Sequence, residues 1–208
     1  MINTYVRSSQ KYKITFVLMA LNIAVYVYTS ITGGNFLTTY YTNTTAQWVQ
    51  YNAAVFNGAY YQLFTSMFIH ASIVHLAGNM LFLLIFGLRG EEMFSLPEYL
   101  GIYILGGLAG NVLSLALGPD LVSVGASGAI FAMFGACAIY ARRSIGQSIV
   151  GALVFGFFLL IISSGENVNY FAHIGGLVAG LAMGYVLARI RKPQAATYQV
   201  SYSYRTPF

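Results

Sequence analysis

Six long apolar runs constrain this chain more than any other feature. They cover about 14–31, 69–88, 99–117, 124–141, 145–162 and 170–190. As helices, runs of this length can cross the ~30 Å hydrocarbon core of a bilayer. Only 7% of the residues are charged and 58% are hydrophobic, whereas a soluble domain carries about 25% charged residues. The sequence therefore predicts an all-α integral membrane protein built as a six-transmembrane-helix bundle.

The basic residues separate to one side of these six runs. They are Arg7, Lys11, Lys13, Arg89, Arg142, Arg143, Arg189, Arg191, Lys192 and Arg205. The segments on the other side, about 32–68, 118–123 and 163–169, contain no Lys or Arg. Cytoplasmic loops of membrane proteins are enriched in these residues, so both termini are predicted to be cytoplasmic. The same rule explains the net charge of +5, and no nucleic-acid partner is predicted.

The runs divide the chain into three parts. We predict a cytoplasmic N-terminus at 1–13, a six-helix domain at 14–190 and a cytoplasmic tail at 191–208. The first run is interpreted as a retained helix, since no A-x-A-like cleavage site follows it. The outer loop at 32–68 is long, uncharged and aromatic. Such a loop can lie among lipid headgroups, where it could act as a lid, a brace or a lipid anchor.

Five polar residues fall inside the predicted spans. His70, His75 and Asn79 lie in the second run, Ser127 opens the fourth, and His173 lies near the outer end of the sixth. Ionisable side chains are rare in spans and often mark functional sites. Ser127 alone is weak evidence, because an isolated intramembrane serine usually bonds its own backbone. A glycine-flanked serine is also unsurprising in a chain with 22 glycines.

The depth of these residues is more informative. The first basic residue after each run marks the inner membrane surface, and a helix rises 1.5 Å per residue. On this count the depth is about 21 to 24 Å above the inner surface for Ser127, His173 and His75 alike. Asn79 is four residues after His75 and shares its helix face. His70 is rotated by about 140° from His75 and lies nearer the loop, so a looser or a structural role is expected for it. The pattern predicts one polar layer near the outer surface.

A hydroxyl and an imidazole at equal depth are the minimum set for nucleophilic catalysis. None of the acids lies in a span at that depth, so we predict a Ser127-His173 dyad rather than a triad. These acids are Glu91, Glu92, Glu98, Asp120 and Glu166. The Ser127 N–H at a helix N-terminus, with the Asn79 and His75 side chains, could stabilise an oxyanion.

Two other kinds of chemistry are disfavoured by the sequence. No H-E-x-x-H motif is present, and no carboxylate joins the histidines in the spans, so no metal or other cofactor is predicted. Cys137 lies ten residues after Ser127, on a different helix face. We interpret it as a small core residue rather than a nucleophile.

Glycines predict which helices pack together. Glycines recur every four residues along the sixth run, at Gly176, Gly180 and Gly184. One face of that helix therefore has no side chains, and another helix can pack closely against it. The glycine-rich fourth run is the natural neighbour, and close packing would bring Ser127 to His173. Gly106 and Gly110, in the third run, are interpreted as packing residues only.

Three motifs together resemble the rhomboid family of intramembrane serine proteases. They are Gly125-Ala126-Ser127-Gly128, Ala172-His173-Ile174-Gly175-Gly176 with Gly180, and His70 with His75 and Asn79, within about Gln62 to Gly184. The resemblance implies a Ser127-His173 dyad that cleaves single-span membrane proteins near the outer face, with no metal or nucleotide. It also implies that His75, Asn79 and the Ser127 amide hold the oxyanion. The predicted arrangement of six spans is similar to the basic prokaryotic form of the family, which implies that the protein lies in a cell membrane.

One departure concerns the first outer loop. Many rhomboids have Trp-Arg where this chain has Tyr61-Gln62, so a cation that helps to fix the loop is missing. This departure bears on the rigidity of the loop and on the reaction rate, while the candidate catalytic residues are untouched.

Two other functions remain open. A non-catalytic rhomboid-like protein could bind and escort membrane clients, although such relatives usually lack the serine or the histidine. A small transporter or channel would place polar groups through the full thickness of the membrane. In this chain the polar residues of the spans lie in a single layer, which favours a reaction chamber open to one side of the membrane.

Overall fold

A computed structural model describes residues 13–38, 42–145, 151 and 169–191. Its long helices are α1 (Ile14–Gly33), α5 (Ile73–Met93), α6 (Leu96–Ser114), α7 (Ser127–Ile145) and α8 (Tyr170–Ile190). Between them lie short elements: α2 (Asn43–Ala46), β1 (Gln50–Tyr51), α3 (Asn52–Phe56), α4 (Gln62–Thr65), 3-10 turns at Ser66–Phe68 and Leu115–Leu117, and β2 (Val122–Ser123).

Four of the described helices are long and apolar enough to cross a membrane. They are α1, α5, α8 and α6 together with the 3-10 turn that follows it. The apolar part of α7, Ser127–Arg142, is shorter. A helical membrane fold is thus confirmed. The predicted span at 145–162 lies almost wholly outside the described residues, so the count of six spans and the side of each terminus stay predictions.

The second predicted helix begins later than expected. It starts at Ile73, because the Ser72 hydroxyl accepts a hydrogen bond from the His75 N–H (3.1 Å) and caps the helix. The backbone of Ser72 is extended and pairs with Thr38 in the loop that follows α1. The prediction that His70 lies in this helix was therefore wrong. His70 is held in the segment that leads into α5.

The fourth predicted helix also begins later, at Ser127 instead of Val124. Val122 and Ser123 are strand residues that pair with β1. Gly125 then takes a φ of 117°, a conformation that breaks helical geometry and favours glycine. The sharp turn places Ser127 in the first turn of α7.

Polar contacts gather the helix ends at one end of the bundle. A Glu91 carboxylate oxygen accepts a hydrogen bond from the Thr15 N–H at the start of α1 (2.7 Å). Arg191, just after α8, donates to the Met93 carbonyl at the end of α5 (2.6 Å) and forms an ion pair with Glu98 at the start of α6. The charged groups therefore collect at one end, while Ser127 lies at the N-terminal end of α7.

Packing between α7 and α8 follows the glycine stripe, as predicted. A Cβ added at Gly176 would overlap the Gly128 carbonyl, and one at Gly180 would overlap the carbonyl of Ala132. Gly184 meets Ala136 in the same way. The two backbones are thus in direct contact, which other residue types at these positions would prevent.

The glycines of α6 also serve close packing. A Cβ at Gly106 would overlap the Ala132 side chain on α7, and one at Gly110 would overlap the Ala172 carbonyl on α8. The helix α6 therefore lies against both α7 and α8, as its predicted packing role requires.

Buried amides fix the outer loop. The Gln50 amide donates to the Asn111 carbonyl (3.0 Å) and to the Ser114 hydroxyl (3.1 Å), both near the end of α6. The Asn52 amide donates to the carbonyls of Ser114 (3.0 Å) and Gly118 (2.8 Å). Each of these bonds satisfies a polar group that burial would otherwise make costly. The described part of the loop is therefore a brace across the end of the bundle.

Gln62 contributes to the same brace. Its side chain is only 5% exposed. Its amide oxygen accepts from the Tyr51 N–H (3.0 Å), and its amide nitrogen donates to the Gln47 carbonyl (3.2 Å). A neutral amide thus ties α4 to β1.

Candidate active site

Ser127 is presented by a sharp turn at the start of α7. The Gly125 N–H donates to the Ser66 carbonyl (2.9 Å), which fixes the turn against the outer loop. The first N–H groups of a helix have no acceptor within that helix. The backbone N–H of Ser127 therefore lies at the positive end of the helix dipole, beside its own hydroxyl.

His173 lies in the first turn of α8 and is 5% exposed. Asn169 caps this helix, because its side-chain oxygen accepts from the Ala172 N–H (3.1 Å). The imidazole stacks on the Phe131 ring, with 4.6 Å between centroids and 23° between planes. Stacking and burial together restrict the orientation of the imidazole.

The two side chains meet at the same end of the bundle. The Ser127 Oγ lies 2.8 Å from the His173 Nε2, which is hydrogen-bond distance. For Nε2 to accept the serine proton, the neutral ring must carry its proton on Nδ1. This geometry allows the imidazole to act as a base toward the hydroxyl.

Within the described part of the chain, the buried Nδ1 of His173 has no hydrogen-bond partner. The described glutamates have other partners, at the other end of the bundle. Glu91 accepts a hydrogen bond from Thr15, Glu92 pairs with Arg89, and Glu98 pairs with Arg191. Glu166 lies outside the described residues. The described site is therefore a serine and a histidine whose ring is oriented by aromatic stacking.

His75 and Asn79 flank the turn that carries Ser127. A Cβ placed on Gly125 would lie 2.8 Å from the His75 Nε2 and 3.7 Å from the Asn79 side-chain nitrogen. The Asn79 amide donates to the His75 carbonyl (3.0 Å), which leaves its second N–H available. Two polar side chains thus lie next to the Ser127 turn.

His70 lies behind His75. Its side chain is fully buried, and its ring meets the His75 ring edge-on with centroids 5.2 Å apart. This contact limits the rotation of the His75 ring. His70 therefore lies outside the helix in which it was expected.

Cys137 lies in the core. Its thiol points to the Phe86 carbonyl, with 3.9 Å between sulfur and oxygen, and it is buried. Among the residues that the structure describes, no group of three or more His, Cys, Asp or Glu side chains is arranged to hold a metal ion.

Sequence reasoning missed three residues around the site. Phe131 is four residues after Ser127, so its place on the same helix face could have been inferred. Asn169 precedes an apolar run, which is a typical signal for a helix cap. The edge contact of Tyr170 with His173, at 6.4 Å between centroids, had no signal in the sequence.

Comparison with known proteins identifies the family. The family model described as a rhomboid domain matches residues 57–190. The chain therefore belongs to the rhomboid family. It is 36% identical over 141 residues to the mitochondrial RHOMBOID-like protein 6 of Arabidopsis thaliana, which covers 65% of this chain and 45% of that protein.

Two further relatives are named as proteases. The chain is 31% identical over 198 residues to the rhomboid protease GluP of Bacillus subtilis, covering 88% of this chain and 36% of GluP. It is 32% identical over 141 residues to rhomboid-like protease 3 of Toxoplasma gondii, covering 64% of this chain and 54% of that protein. The matched region thus spans about half or less of the length of these three relatives.

Proposed function

We propose that this protein is an intramembrane serine endopeptidase that works through a Ser127-His173 dyad. The observation that carries the proposal is the 2.8 Å contact between the Ser127 Oγ and the His173 Nε2. The contact lies among apolar helices of a membrane fold, and relatives such as GluP are named proteases. In a site shielded from bulk water, such a pair can activate a hydroxyl that is otherwise a weak nucleophile.

The proposed reaction has two stages. The Ser127 oxygen attacks the carbonyl carbon of the scissile peptide, and its proton passes to the His173 Nε2. The tetrahedral intermediate then breaks its C–N bond, and His173 returns the proton to the departing amine. An acyl group remains on Ser127. Water, deprotonated by His173, attacks this ester and releases the second product, which restores both side chains.

The oxyanion of the intermediate is assigned to donors beside the Ser127 turn. These are the Ser127 N–H and the side chains of His75 and Asn79, the latter two lying next to Gly125. Fixed donors aimed at developing charge contribute most in an environment of low polarity.

Asn79→Ala is expected to lower kcat by about 10² to 10³-fold, the usual cost of losing one oxyanion donor. In the proposed role Asn79 donates to charge that develops only in the transition state, so KM should change much less. Steady-state cleavage of a reconstituted single-span substrate measures this. Asn57→Ala is the matched control, since the Asn57 amide caps only the Ala53 carbonyl on the exposed loop. Equal kcat in Asn79→Ala and wild type would show that Asn79 does not donate to the oxyanion.

The substrates we propose are single-span membrane proteins, cleaved near the outer face. The site lies at the end of the bundle opposite the charged cluster of Glu91, Glu98 and Arg191. Under the positive-inside rule that cluster is cytoplasmic. We therefore extend the proposal to six spans with both termini in the cytoplasm of a prokaryotic cell, and to the lipid bilayer as a partner besides the substrate.

A serine-directed fluorophosphonate tests the nucleophile without a known substrate. The reagent should label the wild type in liposomes, fail to label Ser127→Ala, and label His173→Ala far more slowly, because the base is lost. Equal labelling of Ser127→Ala and wild type would rule out this nucleophile. An unlabelled wild type that still binds a single-span client stably would favour the client-binding function instead.

A further inference from the structure

One side chain joins the two segments that carry the candidate dyad. The Asn169 side-chain oxygen accepts from the Ala172 N–H (3.1 Å) at the start of α8, and its amide nitrogen donates to the Ser123 hydroxyl (2.9 Å) on β2. Asn169 precedes His173 by four residues, and Ser123 precedes Ser127 by four. We propose that Asn169 is a positioning residue, which sets the Ser127-His173 distance through Ser123. This inference depends on the proposed function.

Ser123 is itself a fixed anchor. It is 6% exposed and pairs with Gln50 in the β1-β2 ladder. The Gln50 amide in turn holds the end of α6. Because two neighbouring elements hold this strand, a hydrogen bond from Asn169 to Ser123 restrains α8 and not only a loose loop.

The bridge complements the glycine contact deeper in the bundle. At Gly176 the backbone of α8 touches that of α7 at Gly128. This contact fixes the helix separation on one side of His173, and the Asn169-Ser123 bond fixes it on the other. With only the glycine contact, α8 could tilt about that point and carry the imidazole away from the hydroxyl. A misplacement of about 1 Å can cost about 10²-fold in rate.

The test separates capping from bridging. Asn, Asp and Ser cap helices about equally well. Asn169→Ser keeps a cap but is too short to reach Ser123. Asn169→Asp keeps the cap and can accept a hydrogen bond from the Ser123 hydroxyl. If Asn169 only caps α8, the two variants should behave alike.

We expect Asn169→Ser and Ser123→Ala each to lower kcat by about 10-fold or more, with KM nearly unchanged, since the dyad is misaligned while substrate binding is not. Asn169→Asp should stay close to wild type. The double variant Asn169→Ser with Ser123→Ala should be no worse than either single one, because both remove the same bond. Cleavage in liposomes and fluorophosphonate labelling rates measure these effects, with thermal midpoints recorded alongside.

Thr29→Val is the control, since it removes a buried hydroxyl that donates to the Tyr26 carbonyl (3.0 Å) within α1. It should leave kcat unchanged. Equal kcat in Asn169→Ser and Asn169→Asp, or additive losses in the double variant, would overturn the bridge. If both bridge variants cleave like wild type while Ser127→Ala is inactive, the inference fails and the proposed function stands. A wild type that neither cleaves nor labels would overturn both.

Discussion

Ser127→Ala and His173→Ala are each expected to lower kcat for a reconstituted single-span substrate by at least about 10³-fold. The first removes the attacking oxygen, and the second removes the base 2.8 Å away. The two groups act as one unit, so the double variant should be about as inactive as each single one. Binding of the substrate should persist, because neither change alters the helices that would contact it.

The measurement is single-turnover cleavage in liposomes, followed by gel. Ser30→Ala is the matched control, since Ser30 is a buried serine on α1 that is assigned neither to the dyad nor to the oxyanion site. It should cleave at the wild-type rate. Wild-type rates in either dyad variant would refute the dyad. Loss of cleavage in the Ser30 variant as well would show that the assay reports general damage to the helices.

Gly176→Ala is the second change with a large expected effect. The added Cβ would collide with the Gly128 carbonyl oxygen and with backbone atoms beside it, which cannot move as a side-chain end can. The helices α7 and α8 must then separate near the dyad. Overpacking of this kind destabilises by about 1 to 3 kcal/mol, and a shift of about 1 Å at the site costs about 10²-fold in kcat.

The control for this change is another glycine on a membrane helix. Gly101, on α6, has open space where a Cβ would go. Gly101→Ala should be neutral or slightly stabilising, because alanine favours a helix more than glycine does. Thermal unfolding in detergent and cleavage in liposomes should both distinguish the two variants. If Gly176→Ala matched Gly101→Ala in both, direct backbone contact between α7 and α8 would be refuted.

Much of the site could be predicted from local patterns. The apolar runs located α1, α6 and α8 to within a few residues, since span length and hydropathy are local properties. Ser127 and His173 stood out because polar groups are rare in spans. Their common depth followed from the constant rise of a helix. The glycine stripe of α8 predicted its neighbour because its period matches one helix face.

Helix starts were less predictable, because contacts from distant segments set them. His70 is excluded from α5 by the Ser72 cap and by the pairing of Ser72 with Thr38. The turn before Ser127 depends on strand pairing with Gln50 and on the Ser66 carbonyl. The periodicity of apolar residues along the chain does not reveal such pairings between distant segments.

Composition, periodicity and charge placement in this chain were enough to indicate a helical membrane protein with a serine and a histidine near one surface. The tertiary structure was needed to show that Gln62 can secure the outer loop without a cation, and that Asn169 reaches Ser123. The physical reason is the separation along the chain of the residues that each interaction joins. Hydropathy and helical spacing act along the chain, whereas a hydrogen bond between buried side chains depends on how separate segments pack.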